Sequence, residues 1–219
     1  MVDFAKLEVV RNELKPYGAT LVAVSKTKPT SDIREMMEHG QLLFGENYVQ
    51  ELKLKYEELG SGPQWHFIGS LQSNKVKIIV PYISMIHGVT SQSVLLEISK
   101  RSIQIGRTTD VLLQVHIAQE ESKSGFDPEE VLAFYESFLK SPLPGVTIRG
   151  LMGMATLTDD QIIVANEFRG LRKLYENMVA LSGPDFNTLS MGMSGDYNIA
   201  LQEGSNMVRI GSLLFGGRS

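Results

Sequence analysis

The chain has 219 residues, 42% of them hydrophobic and 21% charged, a mixture that folds around a core and excludes disordered, collagen-like and coiled-coil chains. It contains no cysteine, which removes zinc ribbons, iron–sulfur sites and thiol nucleophiles from consideration, and its net charge of −4 disfavours nucleic acid as a partner. No run approaches the roughly 20 apolar residues of a membrane span, and Asp3, Lys6, Glu8 and Arg11 interrupt the N-terminus where a signal peptide would be apolar, so the expectation is a cytoplasmic protein with one domain over residues 1–219.

In chain order, the first expected element is a helix over 4–15 with Phe4, Leu7, Val10 and Leu14 on its inner side. A strand at 20–25 (TLVAVS) follows, then one at 42–45 (LLFG). Over 48–59 the residues Tyr48, Leu52, Tyr56 and Leu59 share one helical face, which leaves Lys53, Lys55, Glu57 and Glu58 on the others. Strands are read at 64–68 (QWHFI), 84–87 (SMIH) and 110–116 (DVLLQVH). Asp127 then caps a helix with Pro128 in its first turn, and Val131, Leu132, Tyr135, Phe138 and Leu139 form its apolar stripe. After a strand at 148–152 (IRGLM), Thr158, Asp159 and Asp160 open a helix that turns Ala165, Phe168, Leu171, Leu174, Tyr175 and Met178 to the core. The last two strands are Thr188–Ser190 and Met207–Ile210.

Eight strand-like runs alternating with helices predict an α/β fold, a closed parallel (β/α)8 TIM barrel, ahead of an open doubly wound sheet, which periodicity alone does not exclude. Nine residues follow the last strand, too few for a full crossover helix. The extra N-terminal helix is expected to cover that gap.

Lys26 follows directly on an apolar strand. A lysine there is either a strand end that snorkels out with Lys28, or an amine held at the barrel mouth where it attacks an aldehyde and forms a Schiff base. Closing a barrel pairs the last strand with the first, which brings Arg209 near Lys26. Gly211 and Ser212 after the last strand, with Ser190, Gly192, Ser194 and Gly195 after the one before it, are small residues and hydroxyls of the kind that cradle phosphate at this end of a barrel. An amine for an aldehyde, a phosphate cradle and a guanidinium together describe a pocket for pyridoxal 5′-phosphate (PLP). Arginine only donates, so opposite the pyridine nitrogen it keeps that atom unprotonated and favours exchange of the Schiff base or racemase-like chemistry over long-lived carbanions.

The segments LVAVSKTKP (21–29), FGENYVQE (44–51), WHFIGSLQSNK (65–75), ESKSGF (121–126), GLM (150–152), LSMGMSGDY (189–197) and GSNMVRIGSLLFG (204–216) resemble, in this order, the pyridoxal phosphate homeostasis proteins, single-domain barrels similar to the N-terminal domain of alanine racemase. The resemblance implies a PLP-binding protein of intracellular vitamin B6 homeostasis, a carrier or regulator without established turnover. It further implies PLP held as a Schiff base on Lys26, Arg209 facing the ring nitrogen, Ser194, Gly211 and Ser212 on the phosphate, and Asn47 lining the cofactor. PLP-dependent apo-enzymes are the partners it points to. Gly88 and Thr90, and Gly195 with Tyr197, depart from the family's usual residues and bear on loops rather than on the aldehyde and phosphate contacts.

Two rival readings stay open at this point. One is a PLP-dependent amino-acid racemase of low activity, for which no residues remain to build the additional domain that supplies alanine racemase with its opposing tyrosine. The other is a Schiff-base aldolase acting on a sugar phosphate without a cofactor. With no evident dimerisation element, a monomer is expected. His66, His87 and His116, with Glu46 nearby in sequence, lack the spacing of a metal motif, so hydrogen-bonded structure is expected of them and no metal. Glu120, Glu121, Lys123 and Lys75 are read as solvated loop charges, Gly69 and Gly125 as turn residues, Met152, Met154, Met191 and Met193 as core filling, and Trp65 as packing between barrel and helices.

Overall fold

The computed structural model describes residues 2–120 and 124–217. Thr20–Val24 (β1) pairs in parallel with Leu43–Glu46 (β2) on one side and Met207–Ile210 (β8) on the other. Gln64–Phe67 (β3), Met85–Val89 (β4), Thr109–Val115 (β5), Val146–Gly153 (β6) and Thr188–Ser190 (β7) complete a closed eight-stranded parallel barrel. Each strand expected from sequence is there, Thr188–Ser190 and Met207–Ile210 with unchanged bounds and the others within two residues at either end, and closure between β1 and β8 disposes of the open-sheet alternative.

Parallel strands need crossovers, and these are helical: Thr30–Glu38 (α2), Val49–Leu59 (α3), Ser73–Ile79 (α4), Gln92–Gln104 (α5), Pro128–Lys140 (α6), Gln161–Val179 (α7) and the short Tyr197–Gln202 (α8). Local chemistry sets where they begin. Asp127 accepts the Glu129 N–H at 2.8 Å with Pro128 in the first turn of α6, and Asp160 accepts the Ile162 N–H at 2.9 Å at the start of α7. On α7 the buried residues are Val164, Phe168, Leu171, Tyr175 and Met178, the spacing of one helical face.

Among the described residues after β8 only Ser212–Phe215 (α9) is helical. Phe4–Leu14 (α1) docks there instead, buries Leu7, Val10 and Leu14, and is tied on by the Asp3 N–H, which donates to Leu214 O at 2.8 Å. Phe4, half-buried, stacks on the His39 ring with centroids 3.8 Å apart. The N-terminal helix therefore fills the place of the missing crossover. Among the described residues no helix is long and apolar enough to cross a membrane.

Inward and outward side chains alternate along each strand. Val22, Met85, Leu112, Met152 and Met207 fill the barrel centre with Met154 packed on them, whereas Phe44, Trp65, Phe67 and Met191 belong to the larger core between barrel and helices. Trp65 packs against Phe44 as expected, with ring centroids 6.0 Å apart. Of the four methionines read as core filling, Met154, packed on that cluster, and Met193 also face a cavity at the barrel mouth. Helix α3 holds a larger departure. Lys55, placed by the sequence reading away from the apolar face, is only 4% exposed.

Candidate functional site

The strands' C-terminal ends surround a cavity of about 520 Å³. All six residues expected to bind a cofactor, Lys26, Asn47, Ser194, Arg209, Gly211 and Ser212, line it. Because β1 stops at Val24, Lys26 is not a strand end; it stands in the turn two residues beyond, half-buried. Its neighbour Thr27 has a φ of 63°, the one non-glycine residue in the left-handed region among those described, a conformation that costs about 1–2 kcal/mol for an L residue.

Among the described residues the lining carries three cationic side chains, Lys26, Lys28 and Arg209, and no carboxylate. A cavity of that sign in a chain of net charge −4 selects an anionic ligand. Lys28 does not snorkel away: it lines the wall and its Nζ donates to Gly217 O at 3.1 Å. Val24, Ile68, Met154 and Met193 supply apolar surface. The Gly211 N–H donates to Ser194 Oγ at 3.3 Å, which joins the loops after β7 and β8 where the sequence reading placed a phosphate cradle.

Arg209 points inward from β8, in register with Val22, and is 3% exposed. Its Nη1 donates to Ser190 O at 2.9 Å and to Ser190 Oγ at 2.6 Å, and its Nη2 donates to Gly153 O at 2.9 Å. Three of the five guanidinium N–H groups are thus committed to the barrel, which fixes the plane of the fork and leaves the remaining donors for the cavity. Burial lowers its pKa to about 10, against the opposing pull of Asp196, so it stays a cation at neutral pH.

Below it runs a buried polar chain. Ser190 Oγ lies 3.2 Å from His87 Nδ1, and His87 Nε2 lies 2.9 Å from His66 Nδ1. Both contacts are matched when the Ser190 hydroxyl donates to His87 Nδ1 and His87 Nε2–H donates to His66 Nδ1. Burial pushes His66 down to about 4, and pushes His87 well below its usual value with further help from the neighbouring His66 and Arg209 charges, so both rings are neutral at pH 7. His116 does not join them; its Nε2 meets Glu120 O at 3.0 Å. Among the described residues no group of three His, Cys, Asp or Glu is arranged to hold a metal.

Asn47 is set by backbone contact. A Cβ on Gly69 would lie 2.3 Å from Asn47 O, and one on Gly88 would lie 2.2 Å from Gly69 O. The loops after β2 and β3 and the end of β4 therefore stack in van der Waals contact that only glycine permits. Gly69 is a close-approach residue more than a turn residue.

Outside the barrel wall, behind Lys26, sits an ion cluster that sequence reasoning missed. Lys55 Nζ donates to Ser25 O, Glu46 Oε1 and Glu51 Oε1, each at 2.7 Å. Ser25 Oγ donates to Glu46 Oε1 at 2.6 Å, and the Thr27 N–H donates to Glu51 Oε1 at 2.6 Å. Burial raises the pKa of Glu46, with Lys55 and the Ser25 hydroxyl acting in the opposite sense, and its Oε2 is buried without a hydrogen-bond partner. The i,i+4 spacing of Glu51 and Lys55 was a legible hint of a pair; the burial was not. Glu120, read as a solvated charge, accepts the Leu157 N–H at 3.0 Å, and Glu121 and Lys123 lie outside the described residues.

Residues 5–219 match the family model described as alanine racemase, N-terminal domain. The chain is 40% identical over 201 residues to the pyridoxal phosphate homeostasis protein of Aquifex aeolicus (strain VF5), covering 91% of this chain and 87% of that one. Among solved structures it is similar to PipY of Synechococcus elongatus PCC7942, at 35% identity and TM-score 0.90 without PLP and at 34% and 0.87 with PLP bound, each covering 97% of this chain and 99% of PipY. Alanine racemase of Clostridium difficile 630 shares the fold at TM-score 0.73 and 15% identity; the match covers 99% of this chain and 57% of the racemase.

Proposed function

The chain belongs to the pyridoxal phosphate homeostasis proteins, within the alanine racemase N-terminal-domain family, and from that premise we propose that it binds PLP in the mouth cavity and serves intracellular homeostasis of that cofactor rather than turning over a substrate. The observation that carries this reading is the lining itself. An amine, a buried guanidinium and a Ser/Gly cluster converge on a cavity with three cationic side chains and no carboxylate among the described residues, which suits a ligand with an aldehyde, a basic ring nitrogen and a phosphate. The PLP-bound form of PipY supports the same ligand.

Each lining residue has a part in this proposal. Lys26 is the amine for the aldehyde carbon, Arg209 donates toward the ring nitrogen, Ser194, Ser212 and the Gly211 N–H hold the phosphate, and Asn47 borders the ring. When bound, PLP supplies an aldehyde that condenses with a neutral primary amine, a C=N bond forming while the oxygen leaves as water with the two amine protons. Arg209 cannot accept a proton and so keeps a nitrogen opposite it unprotonated, which weakens the electron withdrawal that carbanion chemistry needs. Among the described lining residues there is no Tyr, His, Asp or Glu to move a proton on the far face of a bound amino acid, which supports a carrier over a racemase. In this reading one barrel domain over residues 1–219 works as a cytoplasmic monomer and passes cofactor to PLP-dependent apo-enzymes.

The test is to incubate the full chain with PLP, reduce with borohydride, and weigh the protein and its peptides. One adduct on the peptide containing Lys26 is expected. No adduct, or one confined to another lysine, overturns the assignment. Conversion of L-alanine to D-alanine at enzyme-like rates would replace the carrier with a racemase.

A further inference from the structure

We propose that Lys55, with Glu46 and Glu51, positions Lys26: a buried ion cluster outside the barrel wall grips the residues on either side of the lysine and aims its amine into the cavity. This rests on the reading of the cavity as a PLP site. Lys26 stands between Ser25 and Thr27, and both are held by the same cluster. Ser25 is bound twice, its carbonyl accepting from Lys55 and its hydroxyl donating to Glu46, while the Thr27 N–H donates to Glu51. Lys55 connects the two carboxylates, so all three of its N–H groups have acceptors at 2.7 Å. The Lys28 N–H closes the turn on the same Ser25 carbonyl at 3.0 Å.

Stability alone is a poor account of such a cluster. A buried ion pair is often no better for the folded state than apolar residues of the same volume, and here the side chains of Lys55 and Glu46 are 5% and 0% exposed, with Glu46 Oε2 unpaired. What ions do better than a methyl group is fix direction. Three directional bonds from one ammonium determine where the Ser25 carbonyl lies, and the Glu51 bond holds Thr27 at its unfavourable φ of 63°. Released from those bonds, the turn relaxes and the Lys26 amine spends less time where an aldehyde is presented. None of Glu46, Glu51 and Lys55 lines the cavity, so their action runs through Ser25 and Thr27.

The experiment separates placement of the amine from binding of the ligand. The rate of borohydride-trapped PLP adduct is measured on the full chain for wild type, Glu51→Ala, Glu51→Gln and Lys55→Met, beside the affinity for pyridoxine 5′-phosphate, which carries an alcohol in place of the aldehyde. Glu51→Ala and Lys55→Met are expected to slow trapping about tenfold or more, since small misplacement of a reacting group has that effect, while the pyridoxine 5′-phosphate affinity holds. Glu51→Gln keeps an acceptor for the Thr27 N–H and should recover most of the rate. If Lys55→Met does not fold, the half-buried Glu51 variants decide. Wild-type trapping speed in Glu51→Ala, or an equal loss of pyridoxine 5′-phosphate affinity, overturns the positioning role and leaves the cofactor site standing. Absence of any adduct in the wild type overturns the cofactor site, and the positioning role with it.

Discussion

Arg209 donates a 2.6 Å hydrogen bond to Ser190 Oγ, and through that hydroxyl a guanidinium on the cavity wall is joined to His87 and His66 inside the barrel. Arg209→Leu leaves the carbonyls of Ser190 and Gly153 buried without their donor. At about 1–3 kcal/mol for each of these two abandoned acceptors, the expected loss is about 2–6 kcal/mol, read from urea unfolding. In the proposed site the donor toward the ring nitrogen would be lost as well, so the absorption spectrum of the PLP-loaded variant should also move. An unchanged spectrum would remove Arg209 from contact with the ring.

Lys26→Ala should abolish the trapped adduct and change stability by no more than about 1 kcal/mol, as for a substitution at a half-exposed site. Mass spectrometry after reduction and urea unfolding report the two effects separately. An adduct that persists in the variant places the chemistry on another amine.

The histidine pair makes stability depend on pH in a stated direction. An unfolded histidine titrates near 6.5, whereas burial holds His66 in the fold down to about 4 and holds His87 well below its usual value. Between those values the unfolded chain binds protons that the folded chain declines. Stability is therefore undiminished above about pH 6.5 and falls toward pH 4 by up to about 1.4 kcal/mol per pH unit for each ring. His66→Gln removes one titrating ring, so urea unfolding at a series of pH values should show a shallower decline; an equally steep one would show that His66 is protonated in the fold.

Gly69→Ala forces a methyl group to within 2.3 Å of Asn47 O. Overpacking of this kind costs about 1–3 kcal/mol, and because the loop that must give way carries Asn47, PLP affinity should fall along with stability. Titration of the variant with PLP checks this. A variant that binds as tightly as wild type would detach Asn47 from the ligand.

Much of the site was legible in the residues. Lys26 behind an apolar run, and the Ser/Gly clusters after the last two strands, mark chemistry by their type and place, and the cavity gathers all six residues expected to meet there. Lys55 lies beside the apolar face, three residues after Leu52 and four before Leu59, but its buried role was not legible because a lysine with Glu57 and Glu58 nearby reads as solvent-facing. Glu46, on the outward side of β2, reverses that by offering a carboxylate inside the core. Which of the two alternatives held for Lys28 was not legible for a related reason: the carbonyl that accepts from its ammonium belongs to Gly217, at the other end of the chain.

The amino-acid order by itself determined eight strands alternating with helices, since strand and helix periodicities are short-range properties. Closure of the sheet, which brings the amine after β1 and the arginine of β8 to one rim, was decided by the pairing of β1 with β8. The tertiary structure alone decided which polar groups share the barrel interior. His66, His87, Ser190 and Arg209 come from four strands, and a slip of one residue in any of them would turn its side chain out to the helices. Register between distant strands is a property of the assembled sheet, which no local pattern encodes.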